Sequence, residues 1–147
     1  MNVWIPISSI LLILILVLIW IRNSYARWRV PQQSMGAAQR RVLENEIAFY
    51  RALSEDEKRR FEYKVQEFLL NCTITGIETE VSSREELLVA ASAIIPIFAF
   101  DNWRYTDLRE VLLYPGRFNV DFETEGPDRN VLGMVGDGSM NGVMILS

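Results

Sequence analysis

Three groups of side chains in this sequence could do chemistry. Asp121, Glu123, Glu125 and Asp128 crowd a turn at Gly126-Pro127, and oxygen donors at that density suit a hard cation. Their spacing matches no calcium loop, so the better reading is an exposed strand face and turn. Cys72 is the single cysteine. It excludes an internal disulfide and a multi-cysteine zinc site, and nothing beside it would lower its pKa, so it reads as a small core residue. Gly136-Asp137-Gly138 has the glycines of a phosphate loop but lacks the lysine and following helix that hold phosphate. Apolar runs on both sides make it the turn of a β-hairpin instead.

Histidine is absent from all 147 residues. That removes Ser-His-Asp and Cys-His nucleophiles, histidine-ligated metals, and the usual acid–base group near neutral pH. With 15 basic and 19 acidic side chains the net charge is −4, which argues against a nucleic-acid partner held by phosphate contacts. No catalytic, metal-ligating or cofactor-binding residue is assigned in this chain.

The elements that would position any site begin with Val3–Ile21. It carries no charge, and fourteen of its residues are Val, Ile or Leu. As a helix it would reach about 28 Å, near the thickness of a bilayer's hydrocarbon core. Trp4 and Trp20 stand near its ends, and Arg22, Arg27, Arg29, Arg40 and Arg41 follow on one side only. The expectation is a transmembrane anchor over 1–22, in contact with the lipid bilayer through Val3–Ile21, giving a single-pass membrane protein whose remainder is cytoplasmic. A cleaved signal peptide is the weaker reading: Met1-Asn2 supplies no basic start, and Ile19-Trp20-Ile21-Arg22 is a poor cleavage site. Residues 23–41 then read as a juxtamembrane linker, with Arg27-Trp28-Arg29 as its basic flank.

The remaining stretch, 42–147, alternates helical and strand patterns. Gln39–Leu53 sets Leu43, Ile47 and Tyr50 on one stripe of a helix. Ser54-Glu55-Asp56-Glu57 is a capping box that opens a second helix, with Phe61, Val65, Phe68 and Leu69 on its apolar side. Lys58, Arg59, Arg60, Glu62 and Lys64 are expected to form its wet face. Cys72–Val81 is rich in β-branched residues and reads as a strand. Ser83-Arg84-Glu85-Glu86 is a second capping box. It leads into Leu87–Phe100, apolar nearly all round, too short to span a membrane and due to kink or end near Pro96. Glu110–Tyr114 is a short strand, Phe118–Phe122 a possible extension, and Val143–Leu146 a final apolar strand. The expected fold class is α+β: an amino-terminal transmembrane helix followed by a small soluble domain of two to three helices and a few strands. It reads as truncated, because the sequence stops on an apolar strand.

Taken in order, Glu44–Ser54 (ENEIAFYRALS), Ile94-Ile95-Pro96-Ile97-Phe98, the pair Trp103 and Tyr105, Val111-Leu112-Leu113-Tyr114-Pro115 and Gly142–Ser147 resemble the Mlc titration factor A family of zinc metallopeptidases. The resemblance covers 42–147 and is to the version with an amino-terminal membrane anchor. It implies a downstream helix carrying H-E-x-x-H, whose histidines bind zinc and whose glutamate activates a water. Those positions have no counterpart here, so no family residue is carried over. The reading that follows is the amino-terminal, non-catalytic portion of a membrane-anchored zinc-dependent peptidase, inactive as given. Zinc is implied for the full-length family member and no cofactor for this chain. A peptide substrate or a cytoplasmic regulator protein is the implied partner; Gly142–Leu146 reads first as an ordinary structural strand, and second as an edge strand that could lie beside a peptide. The alternative is a complete membrane-tethered regulatory or protein-binding module without enzyme activity.

Overall fold

The computed structural model describes residues 13–15, 28–119, 122–126, 129–136 and 138–147. Helix α1 (Ala37–Glu46) opens where the Gln39 side chain reaches back to accept the Gly36 N–H at 3.3 Å. It stops at Ile47, whose backbone is extended (φ −107°, ψ 101°), and a single helical turn, α2 (Ala48–Arg51), follows. The continuous helix expected over Gln39–Leu53 is thus broken in two. Arg51 sustains the break: its Nη1 donates to the carbonyls of Glu44 and Asn45 at 3.1 Å each, two acceptors that the end of α1 leaves without helical donors. Leu43 and Tyr50 still reach the core, at 0% and 3% exposure.

Helix α3 (Glu55–Asn71) starts as the capping box requires. The Glu57 carboxylate accepts the Ser54 N–H at 2.9 Å and the Ser54 hydroxyl at 2.7 Å, and these bonds hold its pKa below the ordinary carboxylate value. Phe61, Val65 and Phe68 are buried as expected. The wet face is only partly wet, however: Glu62 and Lys64 are buried, and so is Glu67 one turn further on. Glu62 accepts the Tyr50 hydroxyl at 2.6 Å and Arg40 Nε–H at 3.0 Å. Burial, then the Glu62 bond, pushes the Tyr50 phenol well above its usual range. Lys64 Nζ donates to the carbonyls of Phe100 and Asp101.

A four-stranded sheet lies beyond α3, in the order β1-β2-β4-β3. Strands β1 (Thr73–Gly76), β2 (Glu110–Leu113) and β4 (Val143–Leu146) run parallel, and β3 (Gly133–Val135) pairs antiparallel with β4. Cys72–Val81 therefore yields only its first half as strand. Of Phe118–Phe122, the described residues do not extend β2; Phe118 makes an isolated bridge to Val131. Parallel β1 and β2 need a crossover, which α4 (Ser83–Ile94) supplies. Its cap is Ser82 rather than Ser83: Glu85 accepts the Ser82 N–H and hydroxyl at 2.7 Å each. Pro96 turns the end into a single 3₁₀ turn, Ile95–Ile97, as its missing N–H demands.

The core forms where α3, α4 and one sheet face meet. Leu87, Ala90, Ala91 and Ile94 from α4 pack with Phe61, Val65 and Phe68. Phe61 centres an aromatic group, 5.6–5.9 Å from the rings of Phe49, Tyr50 and Phe98. Ile74, Val111 and Met144 share a register row across the sheet and join this core. Ile145 alternates to the opposite face, where it is fully buried, as is Phe118.

The expected fold class needs correction at its amino-terminal end: no transmembrane helix is shown. Among the described residues no helix is long and apolar enough to cross a membrane. The longest, α3, has 17 residues and carries charge throughout, and apolar α4 has 12 before Pro96 ends it. Val3–Ile21 lies outside the described residues, save helical Ile13-Leu14-Ile15. The small α+β unit itself is as expected. Strand β4 differs from expectation in its place, because it is flanked by β2 and β3, and β1 and β3 are the edges.

Two substitutions probe this packing. Ala91→Asp places a carboxylate at a fully buried point of α4, and should lower unfolding free energy by at least about 3 kcal/mol. An unchanged denaturation midpoint would show that α4 is not core. Gly142 precedes β4 with φ +86°, and a Cβ there would sit 2.7 Å from the Asp107 carbonyl oxygen. Gly142→Ala should therefore destabilise by about 1–3 kcal/mol in urea titration, through strain and the forced separation of two loops.

Candidate functional site

A concavity with apolar walls and polar groups at its rim, a cleft of about 470 Å³, lies at the amino-terminal ends of β2 and β4. One wall is the loop Trp103–Leu108; the other is built from Val135, Gly136 and Asn141–Met144. Gly142 fixes the floor: its carbonyl accepts the N–H groups of Arg109 at 2.8 Å and Glu110 at 3.1 Å. Where β3 ends, Val135 is 69% exposed, and across from it Trp103 is 46% exposed. The cleft therefore presents apolar surface to solvent beside a sheet edge, with Arg104 and Asp107 as its charged members.

Tyr105 anchors the loop from inside. Its ring stands edge-on to Phe68 at 5.8 Å, and its hydroxyl donates to the Ala93 carbonyl at 3.0 Å. Partial burial raises its pKa, so it stays a neutral donor at physiological pH. Trp103 packs edge-on against it at 4.6 Å. Arg104 turns away toward α3, where Nε donates to Glu67 Oε2 at 3.3 Å. Its Nη2 lies 3.2 Å from Glu67 Oε1, an ion pair whose geometry does not form a hydrogen bond.

The side chains singled out in the sequence are not brought together. Cys72 is buried at the end of α3, and its pKa is pushed up to about 11, first by burial and then by the charge of Glu110. Glu123 and Glu125 are exposed, while Asp121 and Asp128 lie outside the described residues. Glu123 accepts from Asn119, and the neighbouring Thr124 hydroxyl donates to Glu78. Glu78, Glu123, Thr124 and Glu125 line a separate groove of about 630 Å³ that shares no residue with the cleft. Asp137 also lies outside the described residues; the turn around it joins β3 to β4, as expected of a hairpin, through a longer connection containing the 3₁₀ turn Gly138–Met140. Among the described residues, no three His, Cys, Asp or Glu side chains come together to hold a metal ion.

Sequence reading missed Glu67, Asn71 and Arg104. A signal for Glu67 was present: it falls between Val65 and Phe68, on the buried side of α3. Arg104 sits between two aromatic residues in an otherwise polar turn, a position from which its long stem covers apolar surface.

No curated protein and no solved structure matches the chain. The family model for the glucose-regulated metallo-peptidase M90 matches residues 20–147, which takes in helices α1–α4, strands β1–β4 and the cleft residues, and bears out the resemblance to Mlc titration factor A at the level of the family. The chain belongs to the glucose-regulated metallo-peptidase M90 family.

Proposed function

We propose that this chain forms the non-catalytic scaffold of a zinc-dependent peptidase, whose zinc ligands and general base are residues that the chain does not itself contain. The donor chemistry carries the reading. Membership of a metallopeptidase family suggests zinc for the full-length protein. A catalytic zinc takes about three protein ligands, usually with histidine among them, and this sequence has none. Cys72 is the single thiol in the sequence, and it is buried and held protonated. The described carboxylates are dispersed. The residues present therefore do not fit a catalytic zinc, and no hydrolytic step is assigned to them.

The cleft supports a further part of this reading, a peptide partner. An extended peptide laid along Trp103 and Val135 would find apolar side-chain contacts next to the exposed edge strand β3. This role moves from β4, whose two neighbours occupy its backbone groups, to β3.

The 147-residue chain, prepared without a histidine tag, should keep far less than one zinc per molecule after dialysis against a weak chelator. It should also show no chelator-sensitive peptide cleavage. Stoichiometric zinc accompanied by such cleavage would overturn the proposal. The buried thiol gives a separate check. With its pKa raised to about 11, Cys72 should react with a thiol reagent at pH 8 roughly a hundredfold more slowly in the native than in the denatured chain. The sign for stability follows from the raised value. The protonated thiol's contribution is fully present below the ordinary thiol range and is lost as pH climbs through about 11. Equal thiol reactivity in the two states would place Cys72 outside the core.

A further inference from the structure

We infer that residues 28–35 are a strap that sets the position of the cleft's Arg104 wall, so that release of the strap loosens the cleft. The inference is independent of the proposed scaffold role.

It stands on a closed ring of contacts. Asn71, the last residue of α3, uses its whole amide on two partners in different segments. Its oxygen accepts the Arg29 N–H at 2.8 Å, and its nitrogen donates to the Arg29 carbonyl at 2.7 Å and to the Glu67 carbonyl at 2.7 Å. Both amide donors and the oxygen are engaged, and the amide grips the N–H and carbonyl of a single residue as a neighbouring strand would. One helical turn back, the Glu67 carboxylate holds Arg104. The guanidinium of Arg104 in turn lies over the Trp28 ring, 5.9 Å from its centre, which returns the ring to the strap. At the strap's other end Met35 is 2% exposed and belongs to the core.

The two ends differ in what they fix. Met35 fixes where the strap enters the fold. Asn71 fixes the backbone at Arg29 and thereby the placing of Trp28. Trp28 and Glu67 together fix Arg104, the charged cleft residue that pairs with a carboxylate of α3. Arg104 is about half exposed, so a surface cation is being held by two partners that are themselves set by the strap and by α3. A force or a ligand acting on the chain ahead of Trp28 reaches the cleft by this route.

Trypsin reads both ends, because Arg29 and Arg104 are themselves cleavage sites. Lys64, buried in α3, reports global opening. In the 147-residue chain, Asn71→Ala should raise the cleavage rate after Arg29 and after Arg104 at least tenfold each, with no change after Lys64. Trp28→Leu should raise cleavage after Arg104 several-fold and leave Arg29 unchanged. Faster cleavage at Arg29 with Arg104 unchanged would overturn the coupling, and no change at either would overturn the strap. Should Asn71→Ala open the whole chain, shown by cleavage at Lys64, then Trp28→Leu decides alone: an unchanged rate at Arg104 overturns the inference.

Discussion

Helix α3 must bury Glu62, Lys64 and Glu67 alongside Phe61, Val65 and Phe68, and the rest of the molecule is arranged to make that possible. Leaving one such charge without its partner costs roughly 3–5 kcal/mol, a large fraction of a small domain's stability. Each therefore selects a neighbour. Glu62 selects Tyr50 and Arg40, which places α2 and α1 against one side. Lys64 selects the carbonyls of Phe100 and Asp101, which the chain presents after it leaves helical geometry at Pro96. Glu67 selects Arg104, which draws the cleft's wall onto the same helix. The partners come from three separate segments, so one helix acts as the common support of the amino-terminal helices, the end of α4 and the cleft.

The sheet adds an asymmetric constraint. Parallel pairing of β1, β2 and β4 requires crossovers, and α4 fills the first of them on the core side. Pro96 has two effects here. It removes a helical donor, and it ends α4 where the chain must turn back toward β2. The 3₁₀ turn places Phe98 against Phe49 and Phe61, so that the helix terminus is sealed by aromatic packing and Arg60 covers the Phe98 ring at 4.3 Å. The antiparallel edge β3 then limits growth of the sheet, with only three residues and a glycine at its start.

Much of this was legible in the sequence, and what was not has identifiable causes. The box at Ser54–Glu57 works because both bonds are made within one turn. The second box was misplaced by one residue because Ser82-x-x-Glu85 and Ser83-x-x-Glu86 overlap, and only the geometry of the entering chain chooses between them. The stripe Leu43 and Tyr50 was right while the helix beneath it was not. The break at Ile47 depends on Arg51 reaching back to Glu44 and Asn45, a contact no periodicity reports. The charge run was misread for the same kind of reason: Lys64 finds its acceptors 36 and 37 residues away. The transmembrane helix expected over 1–22 came from composition alone, and the described residues show no helix of that length and polarity. Of the candidate site, the aromatic pair Trp103 and Tyr105 was visible; the cleft they line was not, since its other wall comes from residues 135–144.

The same reasoning separates what in this molecule supports chemistry from what would perform it. Every buried ionisable group on α3 is consumed by a structural partner, and the one thiol is held protonated by its surroundings. A reactive group needs the opposite condition, an ionised or poised side chain with an unspent valence facing a cavity. The cleft has apolar walls, a fixed glycine floor and a neutral Tyr105, while its one guanidinium is turned away into an ion pair. Such a surface can bind and orient, and its affinity would rest on Trp103 and on the edge of β3 rather than on charge. In the proposed scaffold role, donors from elsewhere would be brought to this surface, and the packing under Tyr105 would help to hold a bound peptide in place while they act.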